Sequence, residues 1–441
     1  MVLITLSASL PSPTTPQRFI FYTGLYLVAF GSGGIKSSLL PLGADHFSGD
    51  NPKQREKKAS FFNWFYFCMN VGAFTSSTLI VWVQENVGWV PGFGIATFCM
   101  AVGVGTFTCG TNTYKLQRPM GSPVKRALQV VVASLCKMNA EVPSDSSLLY
   151  EEAGSTPAGA QRLEHTADFR CLDKAAVVLD SDSKNSGGSH RHPWRLCTVT
   201  QVEELKTLLR LLPIWLTNVA YSVAYAQMYT TFVEQAKSMD TTVFSFHVPP
   251  ASLFAFEILC VMFWVVLYDA AIAPRGLSQL RRMGVGYVLM AQAMAAAALV
   301  ELSRKKQQHL RDGGRASAMS IAWLLPQFFL VGGSEMFTYV GQLEFFYGEA
   351  PCNMRNLCTA LSMLAIALGN FLSSVVVAGV AAATAAGGSP GWIPDDLDKG
   401  HLDYFFWAMA GLCSGNLLAF CVCARRYTSK KIISEEANCN L

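Results

Sequence analysis

Apolar stretches long enough to cross a bilayer alternate with polar segments along this chain. About twenty apolar residues suffice for a helix to span the hydrocarbon core. Three such stretches precede a hydrophilic segment of about ninety residues, Thr111–Gln201, and six follow it. The predicted spans are Phe19–Gly43, Phe61–Gln84, Gly88–Gly110, Leu212–Val233, Val248–Tyr268, Met283–Leu302, Ser320–Phe346, Ala360–Ala382 and Leu402–Cys423. The pattern therefore predicts an all-α polytopic membrane protein.

The composition supports this prediction and argues against an enzyme. Hydrophobic residues make up 51% of the 441 residues and charged residues only 15%, whereas a soluble domain carries about a quarter charged residues. The thirteen cysteines are scattered without a CxxC pair and are interpreted as apolar packing residues. We find no nucleophile–base pair, metal-ligand cluster or phosphate loop, and the net charge of +4 does not indicate nucleic-acid binding.

The distribution of Lys and Arg predicts the orientation in the membrane. The connector is basic near its start, which places it in the cytoplasm, and six further spans return the basic carboxyl-terminal tail to the same side. One loop disagrees, because Arg304, Lys305, Lys306, Arg311 and Arg315 would then lie outside. Three spans before the connector would also start the chain outside without a signal peptide, so three further spans are expected to belong before Phe19.

Four regions follow from these boundaries. Residues 1–110 are predicted to form a partial N-terminal helical bundle, residues 111–205 a cytoplasmic connector with an amphipathic lead-in, residues 206–427 a complete six-helix bundle, and residues 428–441 a cytoplasmic tail. Within the connector, Ser181–His192 is expected to be disordered, and Asp173 with Lys174 is interpreted as a surface motif. Thr200 and Glu203 have capping-box spacing, which predicts that a helix opens at Val202.

Glu335 lies in the middle of the predicted span Ser320–Phe346. Gln327, Tyr339 and Gln342 follow offsets of eight, four and seven from it, which place all four on one face of a helix. A carboxylate in hydrocarbon is costly, so it should face a protein interior or a wet cavity. Two interpretations remain open: an acid that holds two helices together, or an acid that handles a proton or a substrate.

Other polar residues also lie within apolar spans. Lys36 follows a run of small residues, and Glu257 is a second intramembrane acid, either a packing group or a secondary proton site. Two sets of polar residues, the two polar stripes, have the spacing of one helix face. A binding role is one interpretation of the second stripe, and ordinary helix packing is the other. The first stripe is Asn63, Tyr66 and Asn70, and the second is Asn218, Tyr221, Tyr225 and Tyr229.

Several motifs resemble one family throughout the chain from Phe19 onward. They are GSGGIK at Gly31–Lys36, GADHF, FFNWFYFCMNVGA at Phe61–Ala73, RPMGSP, LDKAAV, PWRLCTVTQVEELK, GQLEFFY and GHLDYFFW. Together they resemble the proton-coupled oligopeptide transporter family, in its plant nitrate and peptide transporter branch, and most closely the peptide-transporting subgroup. The resemblance implies the major facilitator fold, here with an incomplete N-terminal bundle of about three spans, and a site between the two halves near the midplane.

The resemblance also implies roles for individual residues. Lys36 would bind the substrate's carboxylate and take part in proton coupling, Asn70 would contact the peptide backbone, and Glu335 would hold the peptide's amino terminus. The expected substrate-binding set is Lys36, Asn70, Tyr66, Asn218, Tyr221, Tyr225, Glu335 and Tyr339, and the expected proton-coupling set is Lys36, Glu335 and Glu257. The family's ExxER motif is absent from this sequence, and Tyr225 stands where a plant nitrate transporter has a histidine.

The expected function is proton-coupled symport of di- and tripeptides by alternating access. The proton is the coupling ion and no other cofactor is expected. The expected partners are a small peptide, protons and the lipid bilayer, with no nucleic acid, and the chain is expected to be a monomer in the plasma or vacuolar membrane. The alternatives are a family member that carries nitrate or another small solute, or a non-functional truncated product.

Overall fold

The computed structural model places most of the chain. It describes residues 1–10, 15–44, 46, 52–114, 122–143, 145, 148–151, 163–179, 193–243, 246–247, 249–272, 276–312, 318–351, 354–385, 391–394 and 397–429. The segment Ser181–His192, predicted to be disordered, lies outside these residues.

Helices form all three predicted spans before the connector. Helices α1 to α5 are Val2–Ser9, Thr15–Ala44, Pro52–Thr75, Val81–Asn86 and Trp89–Cys109. A π-helical segment, Ser76–Ile80, joins α3 to α4. Helix α3 starts at Pro52, nine residues before the predicted span Phe61–Gln84. Proline suits the first turn of a helix, where the backbone amide has no partner within the helix. Gly88 has φ of 134°, a backbone conformation that favours glycine, between α4 and α5.

Helices also form the six predicted spans after the connector. Helices α6 to α15 are Pro123–Cys136, Arg170–Asp173, Val199–Tyr225, Thr231–Lys237, Leu253–Leu267, Gln279–Asp312, Leu325–Glu335, Gly341–Glu349, Arg355–Thr384 and Leu402–Arg426. Two-residue strands, β1 (Thr242–Val243) and β2 (Phe246–His247), pair antiparallel. Seven helices among the described residues are long and apolar enough to cross a membrane. The predicted all-α membrane architecture is confirmed.

Two predicted spans after the connector are also divided by changes of helical pitch. A 3-10 turn, Ala226–Tyr229, separates α8 from α9, and a π-helical segment, Met336–Val340, separates α12 from α13. A π turn adds a residue to the helical repeat and so rotates the side chains that follow it relative to those that precede it. The single stripe predicted through Gln327, Glu335, Tyr339 and Gln342 therefore does not continue unbroken along one ideal helix.

The chain forms two compact units. The first comprises residues 1–116, 217–344 and 363–422, and the second comprises residues 117–216, 345–362 and 423–441. The second unit therefore combines most of the connector with residues 345–362 and with the end of the chain. The sequence analysis had assigned these segments to separate regions.

The second unit has a hydrophobic core of its own. Val130 and Ala133 of α6 pack there with Ala175, Cys197 and Val202. Backbone hydrogen bonds tie the same segments together, with the amide of Tyr150 donating to Ala176 at 2.9 Å and the amide of Cys197 donating to Ala175 at 3.0 Å. These buried contacts mean that the connector is a folded element.

A capping box begins α8, but with different residues from those predicted. The backbone amide of Thr198 donates to the Gln201 side chain at 3.2 Å, and the amide of Gln201 donates to the Thr198 hydroxyl at 3.3 Å. This reciprocal pair starts the helix at Val199 rather than Val202. The prediction for Thr200 and Glu203 is wrong, because Thr200 bonds to Glu151 and Glu203 turns to Thr166.

Asp173 is buried, so its interpretation as part of a surface motif is wrong. Its carboxylate lies 2.7 Å from the Lys206 ammonium and 3.2 Å from Nε2 of His165. The same ammonium lies 2.9 Å from Glu203, which also pairs with Arg210 at 3.0 Å. Buried charges need such partners, and this network fixes α7 against α8.

Burial makes Cys197 a test of the connector fold. Burial raises the pKa of its thiol to about 11, so at pH 8 only about one thiol in a thousand is the reactive thiolate. We expect maleimide to label the exposed Cys171 quickly and Cys197 only after denaturation, as measured by mass spectrometry of the alkylated peptides. Equal labelling rates in the native protein would show that this core is not formed.

Candidate substrate and proton site

Glu335 is the last residue of α12 and is buried in the first unit. The Tyr66 hydroxyl donates a short hydrogen bond to its Oε1, and the Tyr225 hydroxyl donates to its Oε2 at 2.8 Å. Tyr66 belongs to α3 and Tyr225 is the last residue of α8. One carboxylate therefore connects three helices from distant parts of the sequence, and two of its partners belong to the two polar stripes.

Tyrosine rings surround this carboxylate. The Tyr225 ring meets the Tyr339 ring edge to face at 5.3 Å, and the Tyr221 ring meets Tyr339 in the same way at 6.0 Å. The Tyr229 hydroxyl lies 3.2 Å from that of Tyr225. Tyr221 hydrogen-bonds to Ser334 at 2.9 Å. The structure thus brings together Tyr66, Tyr221, Tyr225 and Tyr339 of the predicted substrate-binding set.

Glu257 of α10 is the second acid of this cluster. Its side chain is buried, and its carboxyl is close enough to Glu335 for the two acids to interact electrostatically. Its Oε1 has no hydrogen-bond partner among the described residues. Two carboxylates side by side cannot both remain ionised at low cost. The pair is therefore suited to hold a proton.

Two glycines allow the helices around Glu335 to approach closely. A Cβ on Gly332 of α12 would lie 2.9 Å from Cβ of Cys260 on α10. A Cβ on Gly286 of α11 would lie 2.1 Å from Oγ1 of Thr338 and 2.9 Å from the Ser334 carbonyl oxygen. Small residues at helix contacts bring backbones together in membranes, and here they fix the turn that carries Glu335.

A polar network near the start of α11 was not predicted. Arg282 is buried and donates to Oδ1 of Asn63 at 2.9 Å, while Nδ2 of Asn63 donates to Asp269 at 3.1 Å. The guanidinium also lies 3.6 Å from the Glu344 carboxylate and 4.0 Å from the centre of the Tyr268 ring. The predicted span Met283–Leu302 left Arg282 just outside it, whereas the helix begins at Gln279 and includes Arg282.

A second buried chain of polar groups involves Gln327. Its amide donates to Gln235 at 3.2 Å, and Gln235 donates to Glu301 at 3.0 Å. Glu301 also pairs with Arg304 at 2.7 Å. Gln327 therefore takes part in a hydrogen-bond chain other than that of Glu335.

The same region explains part of the discordant basic loop. Arg304 pairs with Glu301 and Asp398, and Lys305 pairs with Asp403 at 3.2 Å. These two cations are locally compensated, so the segment presents less excess positive charge than its sequence suggests.

Three residues of the predicted substrate-binding set make no hydrogen bond to Glu257 or Glu335 among the described residues. The Asn70 side chain donates to the backbone carbonyl of Tyr66 at 2.9 Å. Asn218 is fully buried, and its backbone carbonyl accepts from Ser222. Lys36 is exposed on α2, where the neighbouring Gly33 and Gly34 have open space at their Cβ positions. No contact between Lys36 and Glu335 occurs among the described residues.

One cluster of metal-ligand type occurs in the described part of the connector. Ligand atoms of His165, Asp173 and Glu203 lie within 4.8 Å of one another. The Lys206 ammonium is within 2.7 Å of Asp173 and 2.9 Å of Glu203. A cation is therefore already supplied by the protein, and the donor set does not fit a metal ion as well.

A bundle of apolar helices that holds acids and tyrosines within its spans is typical of a membrane transporter. Residues 1–393 match the family model described as POT family, and the chain belongs to this family. POT proteins are membrane transporters rather than enzymes, so the predictions of a multi-pass transporter and of no enzymatic activity are confirmed.

Curated relatives place the chain in the NRT1/PTR type. Protein NRT1/PTR family 8.5 of Arabidopsis thaliana is 46% identical over 460 residues, which cover 98% of this chain and 77% of the relative. Protein NRT1/PTR family 8.3 of the same plant is 46% identical over 438 residues, covering 96% and 74%.

Solved structures share the fold. A crystal structure of an auto-inhibited POT family peptide transporter has a TM-score of 0.61 at 21% identity, over 97% of this chain and 81% of that one. The in meso crystal structure of the POT family transporter PepTSo has a TM-score of 0.59 at 20% identity, over 97% and 82%. At these identities the likeness shows the fold, and it confirms the predicted transporter architecture.

Substitution of Gly286 should test the close packing behind Glu335. Gly286→Ala would force α11 away from the backbone of the turn that follows Glu335, at a cost of about 1–3 kcal/mol. We expect a lower midpoint of thermal unfolding in detergent, followed by tryptophan fluorescence.

Gly284→Ala is the matched control on the same helix. Its new Cβ would lie 3.6 Å from the Phe420 ring, an ordinary contact, and alanine favours a helix by up to about 1 kcal/mol over glycine. We expect this variant to be as stable as the wild type or more so. Equal destabilisation by both substitutions would contradict the packing argument.

Proposed function

We propose that this protein is a proton-coupled symporter of di- and tripeptides, in which Glu335 binds the amino group of the substrate. The observation that carries the proposal is the buried Glu335 carboxylate, whose two oxygens accept from Tyr66 and Tyr225 rather than from a cation. Membership in the POT family supports transport, and the relatives solved as peptide transporters support peptides as the cargo class.

The chemistry of the cluster favours a cationic group over an anion. With one shared proton, the pair Glu257 and Glu335 has a net negative charge, and the faces of Tyr221, Tyr225 and Tyr339 attract a positive charge through their π electrons. An ammonium group satisfies both. Nitrate would be repelled by the acids, so this site supports a peptide better than the nitrate alternative.

Binding of the ammonium would compete with the tyrosine hydroxyls. A substrate amine has three N–H donors, and Oε1 and Oε2 of Glu335 are the acceptors they would use. Because Tyr66 lies on α3 and Tyr225 on α8, replacing either hydroxyl loosens a tie between helices. Substrate affinity thereby differs between conformations, which is the requirement for coupling binding to alternating access.

The neighbouring acids explain how a proton would be coupled. With Glu335 ionised and Glu257 protonated, the pair carries one negative charge, which a bound ammonium neutralises. Without the proton, the same ammonium leaves one buried charge uncompensated. Carriers loaded with only one partner are therefore disfavoured from closing. Each pH unit of gradient then supplies about 1.4 kcal/mol, and each charge moved about 2.3 kcal/mol per 100 mV.

The remaining roles follow from family resemblance. Lys36 is proposed to bind the substrate's carboxylate and Asn70 to contact the peptide backbone. The zwitterion of a short peptide has its two charges at its ends, so fixed contacts to the termini and backbone leave the side chains free to vary. This suits di- and tripeptides of many sequences.

Glu335→Gln should weaken peptide uptake by removing the charge while keeping the shape and one acceptor oxygen. Charge-assisted hydrogen bonds contribute about 1.5–3 kcal/mol, so we expect the apparent KM for a labelled dipeptide to rise about 10- to 100-fold. The measurement is proton-driven uptake into proteoliposomes, with an N-acetylated dipeptide as a second competitor.

Two comparisons make this test specific. The wild type should prefer the free amine to the N-acetyl form, and Glu335→Gln should lose that preference. Glu234→Gln, an exposed acid paired only with Lys237, should leave uptake unchanged. If nitrate competes and no peptide does, the proposed substrate is wrong.

Glu257→Gln should separate substrate exchange from proton-driven accumulation. The amide cannot carry the coupling proton, so we expect accumulation against a gradient to fall towards equilibrium while exchange of peptide across the membrane continues. Glu257→Asp keeps a titratable group and should retain coupling. Full accumulation by Glu257→Gln would restrict Glu257 to a packing role.

A further inference from the structure

Helix α6 of the connector has two apolar faces. One face carries Val130 and Ala133 into the core of the second unit. The other face is an exposed stripe with spacings of four, three, four and three residues, whose members are 37% to 64% exposed. The exposed stripe consists of Val124, Leu128, Val131, Leu135 and Met138.

The exposed stripe cannot turn inward, because the opposite side of α6 is fixed. Arg126 forms two hydrogen bonds with Glu204, at 3.0 and 3.1 Å. At the other end, the Lys137 ammonium donates to the carbonyl of Val177 at 2.7 Å. Helix α6 is therefore held by its polar ends and its inner face, and the stripe needs an apolar environment from outside the described structure.

The length and regularity of the stripe fit a flat surface. Within α6 it extends from Val124 to Leu135, over about 16 Å at a rise of 1.5 Å per residue. Amphipathic helices with a continuous apolar face and nearby cations lie in the plane of a membrane interface.

Charge also points to a membrane. The segment Gly110–Ala140 contains Lys115, Arg118, Lys125, Arg126 and Lys137 and no Asp or Glu. Only thirteen residues, 110–122, separate α6 from the end of the apolar span α5. A basic segment that closely follows a span is attracted to the anionic lipids of the cytoplasmic leaflet.

We infer that α6 is an interfacial helix, whose exposed stripe lies at the boundary between headgroups and acyl chains of an anionic cytoplasmic leaflet. The apolar side chains enter the boundary, and Lys115, Arg118 and Lys125 meet lipid phosphates, since Arg126 and Lys137 are held on the inner side of α6. This inference does not depend on the cargo of the transporter, since it concerns the connector alone.

Site-directed spin labelling of the full chain in lipid nanodiscs tests the inference. Leu128→Cys and Leu135→Cys are labelled one at a time after the accessible cysteines have been replaced. Ala167→Cys, at an exposed position elsewhere in the connector, is the matched control. Resistance of Cys197 to alkylation verifies that each variant retains the connector fold.

Accessibility to oxygen and to a water-soluble nickel complex distinguishes the outcomes. We expect labels at Leu128 and Leu135 to collide with oxygen several-fold more than with nickel, and the label at Ala167 to show the reverse. High nickel accessibility on the stripe would overturn the inference. Protection from both reagents would also overturn it, since the stripe would then be covered by protein, such as a second copy of the chain.

A charge substitution provides an independent readout. With the label at Val131→Cys, the pair Leu128→Glu and Leu135→Glu should shift the oxygen-to-nickel ratio several-fold towards water. In bilayers without anionic lipid, the label on the unsubstituted stripe should also have a lower oxygen-to-nickel ratio, because the stripe should lie less deeply in the membrane interface. Unchanged ratios in both experiments would contradict the interfacial position and its electrostatic component.

Discussion

A carboxylate within an apolar helix bundle needs hydrogen-bond donors that lipid cannot supply, and the arrangement around Glu335 meets this constraint. Glu335 accepts hydrogen bonds from hydroxyls of α3 and α8. Those hydroxyls reach the carboxylate only if α10 and α11 also approach α12 closely, and Gly332 and Gly286 permit that approach. The polar group and the small residues therefore depend on each other.

Several other buried charges in the described structure have partners of opposite sign. Glu301 is paired with Arg304, Arg282 with Glu344, and Asp173 with Lys206. Such pairs are complete as they stand, which fits structural roles. Glu335 differs, because its donors are neutral hydroxyls and the acid that interacts with it, Glu257, has the same sign of charge. An acid whose charge is left uncompensated by the protein is suited to a cation or proton that arrives and departs.

The periodicity of apolar residues predicted the helices because hydropathy acts over many residues at once. It could not predict local changes of pitch, and the π turn after Glu335 shifts the helical register of the residues that follow it, including Gln342. The sequence also could not show that Thr198 and Gln201, rather than Thr200 and Glu203, cap α8, because both pairs have the same spacing. Only the folded connector brings Glu151 to Thr200 and Thr166 to Glu203.

For the site, the sequence predicted the residues and left their partners open. Tyr66, Tyr225, Glu257 and Glu335 were recognisable as polar residues in apolar spans, yet their mutual contacts depend on how distant helices pack. Arg282 was missed for a related reason: a basic residue near a helix end is usually solvated, and burial against Asn63 becomes visible only in three dimensions.

The choice of tyrosine as the donor has a physical consequence. Breaking a buried ion pair costs about 3–5 kcal/mol, so an arginine facing Glu335 would hold the acid in one state and oppose exchange with a substrate amine. A tyrosine hydroxyl satisfies the oxygen while contributing only about 0.5–3 kcal/mol, and after displacement it keeps its ring as an apolar wall. In the proposed role of Glu335, Tyr66 and Tyr225 stabilise the empty site without preventing its occupation, as a site that binds and releases its substrate in every cycle requires.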